Sequence, residues 1–338
     1  MHYGPVMIDL EGQRLSPEEE RLIRHPAVGG ILLFTRNYTS KEALIALIQD
    51  IRGVLKNKPL LIAVDHEGGR VWRFEQGFTK LQPARYFGEC YDKNAKEGLT
   101  LAHQAGFTMA HELLACGLDL SFAPVLDRDA GFKEGGSSAP LVIGDRAFHS
   151  NPQTLTLLAR AFVVGMNEAG MQATGKHFPG HGGTAFDSHV TTVVDHRPLE
   201  IIWQEDLVPF VALHEVLGAM MTAHVVFDKV DSVPSSFSSI WLEDILRKRI
   251  GFKGAIISDC LSMKAAASLG GDHVVRARLA LEAGSDMVIL SQQPRDLLHW
   301  VLEKLGRETS AVSHKRLECL AGKFDAKKKA GVYLRTSV

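Results

Sequence analysis

The chain is poor in cysteine. It has four in 338 residues, Cys90, Cys116, Cys260 and Cys319, and no C-x-x-C pair. That pattern excludes a disulfide scaffold and a zinc ribbon, and scattered thiols in a chain this long point to a reducing compartment. A charge surplus is also lacking: 38 Lys and Arg face 39 Asp and Glu, for a net charge of -1. With no basic face, nucleic acid and anionic membrane are excluded as the main partner. Long apolar runs are missing too. Gly29 to Phe34 is typical, far short of the roughly 20 residues that span a bilayer. Met1 to Val6 contains no basic stretch leading into an apolar one, so no signal peptide is expected and a cytoplasmic enzyme is. No Walker pattern, G-x-G-x-x-G fingerprint or H-E-x-x-H helix occurs.

What is present is ample core material. The chain is 45% hydrophobic and 23% charged, enough for one large α/β domain or two small ones. Short runs, most of them rich in Val, Ile and Leu, at 5–9, 30–34, 60–64, 118–124, 172–177, 219–225, 254–258 and 287–290 read as strands. Helical patterns fall between them at 17–24, 41–54, 97–115, 152–169, 205–217, 240–249 and 272–283. Ser16-Pro17-Glu18-Glu19 supplies a cap, a first-turn proline and acids at the positive dipole end. Gly170 and Gly284 stand where helices stop. Strands alternating with helices imply parallel pairing through right-handed crossovers. Eight of them predict a (β/α)8 TIM-type barrel, with a doubly wound open sheet as the alternative that periodicity alone leaves standing. Proline- and glycine-rich stretches separate single elements rather than halves. The expectation is therefore one catalytic domain over 1–338, with a helical tail from about 306 that ends Lys-rich and frayed.

Polar residues gather at the expected strand ends, where barrel enzymes keep their chemistry. The third strand runs into Asp65-His66-Glu67-Gly68-Gly69-Arg70, the fourth into Asp127, the fifth into Lys176-His177, the sixth towards His224 and the seventh into Ser258-Asp259. A carboxylate at a strand tip, Asp259, is a candidate nucleophile or else a helix N-cap. Lys176 to His189 forms a glycine-rich loop closing on Asp187-Ser188-His189. An Asp beside a His there suits a general acid/base dyad, the alternative being an Asx-turn. Lys176 and His177 bind a ligand or pair with a neighbouring acid, and both can hold. Asp65, Arg70 and Arg73 suit hydroxyl recognition, with surface positions as the alternative for the arginines. Arg146 either reaches inward or braces the long loop 131–140. His177, His181, His189, His196, Asp187 and Asp195 raise the question of zinc, but no metal-specific spacing links them, and no metal is expected.

Three segments together resemble family 3 glycoside hydrolases, in particular the single-domain bacterial β-N-acetylglucosaminidases (β-hexosaminidases) of peptidoglycan recycling. They are Ala63 to Val71, Lys176 to His189 and Ser258 to Met263, supported by Gly144 to Phe148 and Gly29 to Phe34. The likeness spans about residues 4 to 300. It implies the barrel and retaining hydrolysis of terminal β-linked N-acetylglucosamine. In that reading Asp259 is the nucleophile, His189 the acid/base and Asp187 its partner. Asp65, Arg73, Arg146, Lys176 and His177 bind the sugar, and no cofactor is needed. The implied substrate is N-acetylglucosaminyl-anhydro-N-acetylmuramic acid, with or without peptide, met in the cytoplasm of a Gram-negative bacterium. Separately, no apolar stripe in the sequence suggests a dimer, so a monomer is expected. His66 and Trp72 stand where that family usually has Gln, and Cys260 where Asp is common. A phosphorylase, a Schiff-base lyase using Lys176 and a non-catalytic sugar-binding protein are the rival readings.

Overall fold

The computed structural model describes residues 2–55, 58–129, 143–181, 193–306 and 309–327. The eight apolar runs form β1 (Val6–Asp9), β2 (Val28–Leu33), β3 (Leu61–Val64), β4 (Leu120–Ser121), β5 (Thr174–Phe178), β6 (Ala219–Thr222), β7 (Ala255–Cys260) and β8 (Met287–Leu290). All pair in parallel, in the order β4-β3-β2-β1-β8-β7-β6-β5. The two ends then meet. Val125 bridges Lys176, the Lys176 N–H donates to Pro124 O at 3.1 Å, and the Leu126 N–H donates to Lys176 O at 2.6 Å. That seam closes a barrel and rules out the open sheet.

Because side chains alternate along a strand, each strand serves two cores. Met7, Leu61, Ala63, Ala219, Met221, Ala255, Ile257, Met287 and Ile289 fill the interior. Val6, Ile8, Ile62, Val64, Met220, Ile256, Val288 and Leu290 face outward into the layer shared with the helices. Continuous apolar runs, rather than alternation, are what such doubly buried parallel strands require. Leu317 and Leu320 belong to the interior cluster. The helix Ala311–Glu318 thus docks on the barrel, in the stretch after about residue 306 where a helical tail was expected.

Several boundaries differ from expectation. A single helix over 205–217 is replaced by Leu199–Gln204 and Leu207–Leu213. Pro209 explains the break: its ring tolerates the first turn of a helix but clashes with the carbonyl four residues back. The segment Ile240–Ile250 winds as a π-helix and stops at Gly251, whose φ is +87°. A helix at Ala84–Lys93 and the antiparallel ribbon His66–Gly68 with Val71–Trp72 were not foreseen. That ribbon turns through Gly68 and Gly69, at φ +107° and +53°, a conformation that glycine adopts without steric cost. Capping follows the sequence closely. Ser16 and Glu19 form a reciprocal capping box, and Gly170 ends its helix left-handed. None of the helices among the described residues is long and apolar enough to cross a membrane.

Candidate active site

The C-terminal strand ends open into a cavity of about 630 Å³, a size suited to small-molecule sites. Asp65, Arg73, Arg146, Lys176, His177 and Asp259 all line it. Six of the residues singled out from the sequence, more than 190 positions apart at the extremes, therefore share one chamber. Asp187 and His189, with the rest of the loop from 182, lie outside the described residues, as does the segment 131–140.

The floor is an ion network. Lys176 is 2% exposed, and its Nζ lies 2.7 Å from Asp65 Oδ1 and 2.6 Å from Glu67 Oε1. Arg146 donates to both oxygens of Glu67, Nε at 2.8 Å and Nη2 at 2.7 Å. Paired, planar geometry of this kind makes strong charge-assisted hydrogen bonds. Burial alone would discharge Lys176, but Asp65 and Glu67 outweigh it and raise its pKa. Burial likewise opposes ionisation of Glu67, and Arg146 and then Lys176 overcome it, leaving the carboxyl far below its usual range. A Schiff-base lyase needs a neutral amine, and this environment keeps Lys176 charged. The salt-bridge reading of Lys176 is seen directly, and the residue also lines the cavity.

His177 is fixed by a buried acid. Asp127 accepts from the His177 main-chain N–H at 3.2 Å, and its Oδ2 lies 2.6 Å from His177 Nδ1. It also accepts the His181 N–H at 2.7 Å. Burial raises the Asp127 pKa, but His177 and these hydrogen bonds more than compensate, so it stays ionised. Arg73 Nε is buried with no hydrogen-bond partner among the described residues. In a cavity-lining arginine, that leaves a donor for a ligand.

Asp259 caps no helix. Its Oδ1 accepts the N–H of Cys260 at 2.7 Å, and the next helix starts at Lys264. His224 braces the same strand tip. Its Nε2 sits 3.1 Å from Cys260 O and its Nδ1 2.6 Å from Ser236 Oγ. Burial lowers its pKa against the pull of Asp259, so the neutral ring donates through Nε2 and accepts at Nδ1. Cys260 places its thiol 3.2 Å from Ser291 Oγ, and burial pushes that thiol's pKa up. Arg70, at the rim, pairs with Asp145 at 3.0 Å. Elsewhere His196 meets Asp228 at 2.7 Å, and Asp195 is occupied by Arg197. Among the described residues no three His, Cys, Asp or Glu converge as metal ligands.

Residues 6–318 match the family model for the glycosyl hydrolase family 3 N-terminal domain. The chain belongs to glycosyl hydrolase family 3. It is an enzyme, a glycoside hydrolase. Its relatives include a β-hexosaminidase from Thioalkalivibrio sulfidiphilus, 48% identical over 96% of this chain and 90% of that protein. Another, from Alkalilimnicola ehrlichii, is 50% identical over 87% of this chain and 82% of that protein. The structure of NagZ from Neisseria gonorrhoeae in complex with N-trifluoroacetyl-D-glucosamine is similar at a TM-score of 0.88. It is 41% identical, covering 96% of this chain and 92% of that one.

The family 3 site contains residues to which sequence reasoning gave no role. Glu67 joins the two cations, Asp127 orients His177 and His224 supports the Asp259 strand tip. The available signal was position: each is a polar residue at or just beyond an apolar strand. What was missing was the partner, since the three pairings cross 109, 50 and 36 residues of chain.

Proposed function

We propose that this family 3 enzyme is a retaining exo-β-N-acetylglucosaminidase. It removes terminal β-linked N-acetylglucosamine from peptidoglycan fragments such as N-acetylglucosaminyl-1,6-anhydro-N-acetylmuramic acid, with or without peptide. One observation carries the reading: Asp259 stands at a strand tip in the same cavity as Asp65, Arg73, Arg146, Lys176 and His177. Acceptors and donors on one side and a carboxylate on another match a sugar whose hydroxyls are held while its anomeric carbon is attacked.

In this mechanism Asp259 forms a glycosyl ester through an oxocarbenium-like transition state. His189 protonates the departing oxygen and then deprotonates the incoming water, while Asp187 holds the imidazole in the required tautomer. The Asp65–Lys176–Glu67–Arg146 network fixes the sugar against rotation, so that attack starts from an oriented complex. No cofactor takes part. The domain spans the whole chain, acts as a monomer and works in the cytoplasm. The relatives' β-hexosaminidase names and the bound N-trifluoroacetyl-D-glucosamine of the Neisseria protein support the amino-sugar preference.

The test is release of p-nitrophenol from its β-N-acetylglucosaminide with and without EDTA and phosphate, together with nuclear magnetic resonance of the first-formed anomer. Hydrolysis indifferent to both additives, giving the β-anomer first, supports the proposal. Phosphate-dependent formation of a sugar 1-phosphate would replace it with phosphorolysis.

A further inference from the structure

We propose that Gln292 selects the leaving group, donating or accepting a hydrogen bond from a hydroxylated, amide-bearing sugar attached to the sugar that Asp259 attacks. The inference rests on the glycosidase reading above and adds the residue that reads the far side of the scissile bond. Gln292 follows β8, adjoins the cavity and is exposed at its mouth. It has a backbone φ of +58°, and among the described residues no other non-glycine has a positive φ. That conformation is costly for any residue with a Cβ and free of that cost for glycine.

The strain is held in place by a buried anchor. The Gln292 N–H donates to Asp9 Oδ2 at 2.9 Å. Asp9 is 1% exposed. It is gripped by Arg36 and by Arg295, whose Nη1 lies 3.0 Å from Asp9 O and 3.2 Å from Oδ1. Backbone outliers that the surrounding structure holds this firmly cluster at active sites and ligand clamps. The Gln292 side chain has no hydrogen-bond partner among the described residues, so the fold gives no structural reason for an amide there.

Its place in the cavity identifies the ligand part. Lys176, His177 and Glu67 sit deep, buried or nearly so, while Arg70 at the rim is tied to Asp145. Around the barrel, Asp259 on β7 neighbours β8, and the polar lining that these two strand ends add after Asp259 is uncharged: Cys260, Ser262, Ser291, Gln292 and Gln293. A terminal sugar held by the ions presents one face of its anomeric carbon to Asp259 and its leaving group on the opposite face, where the cavity mouth with its two amides is open to it. Uncharged donors and acceptors suit a neutral sugar ring with its acetamido group.

Gln292→Gly removes the amide and relieves the backbone together. The variant is compared with wild type on N,N'-diacetylchitobiose, whose leaving group is a sugar, and on the p-nitrophenyl glycoside, whose leaving group is not. The expected result is a ratio of kcat/KM values, disaccharide over aryl glycoside, that falls about tenfold, the worth of one hydrogen bond, with a melting temperature no lower than wild type. An unchanged ratio overturns the proposal. So does a parallel loss on both substrates accompanied by a lower melting temperature, which makes Gln292 a structural residue. If wild type hydrolyses neither substrate, the glycosidase reading fails on its own. Calorimetric binding in an Asp259→Ala background then decides this one: Gln292→Gly must lower affinity for the disaccharide but not for N-acetylglucosamine.

Discussion

His66 offers a sharp test of how this site's surroundings are built. Its ring is 1% exposed and packed against Trp72, Phe74 and Phe78, with centroids 6.4, 5.7 and 5.6 Å away. Burial, reinforced by Arg73, lowers its pKa from 6.5 to about 3. In the unfolded chain the same ring titrates near 6.5. Between the two values the unfolded state binds the extra proton, so folding stability is complete above pH 6.5 and declines as pH falls towards 3. From about pH 7.5 to about pH 5, the unfolded ring gains a proton worth about 1.4 kcal/mol for each unit below 6.5. His66 alone therefore withdraws about 2 kcal/mol over that interval. The assay is urea unfolding at both pH values for wild type and His66→Gln. Gln cannot titrate, so the variant should lose about 2 kcal/mol less than wild type on acidification. His181 and His224, also held neutral by burial, add to both proteins equally and cancel in the difference. Parallel pH dependences would refute the reasoning, because they would mean that His66 binds protons alike folded and unfolded.

Other outcomes follow from the geometry. Asp259→Ala should lower turnover of the p-nitrophenyl substrate at least about a thousandfold with little change in melting temperature; residual activity near wild type removes Asp259 from the nucleophile role. Glu67→Gln loses the charge shared by Lys176 and Arg146, so kcat/KM should drop and an alkaline limb should appear as Lys176, still facing Asp65, Arg146 and the new amide, deprotonates more readily. A pH profile of unchanged shape contradicts that role. Asp286 accepts from Arg247 at 2.7 Å, from the Ile256 N–H at 2.8 Å and from Arg316 at 3.1 Å. Asp286→Ala strands a buried cation and should cost about 3–5 kcal/mol in chemical denaturation. Gly106→Ala would bring a Cβ to 2.1 Å from the carbonyl oxygen of Phe162; the two helices must part, at a cost of about 1–3 kcal/mol seen as a lower melting temperature.

The barrel was legible because strands buried on both faces tend to write themselves as unbroken apolar runs, as in Leu61–Val64 and Met287–Leu290, although Thr174–Phe178 does not. Asp65, Lys176 and Asp259 were legible as polar residues ending such runs. Their partners were not, because a local reading cannot tell that Glu67 meets both Lys176 and Arg146, or that Asp127 holds His177. The π-helix Ile240–Ile250 escaped for a similar reason: its extra residue per turn arises from packing, and Trp241, Leu242, Ile245 and Leu246 have the spacing of an ordinary amphipathic helix. The ribbon at His66–Trp72 was hidden by its brevity. Gln292 drew no notice in the sequence, since a positive φ on glutamine has no local signature.

Lys176 carries two duties on one residue. Its main chain is the stitch that joins the first and last members of the strand circle, through Pro124, Val125 and Leu126, and its ammonium group stands among the acids of the chamber. Occupancy of the chamber and integrity of the ring are therefore tied at a single point. A sugar gripping the ammonium tightens the place where the cylinder could spring open, so bound ligand should slow hydrogen exchange at the amides of Lys176 and Leu126 more than at those of the opposite wall, in β1 and β8.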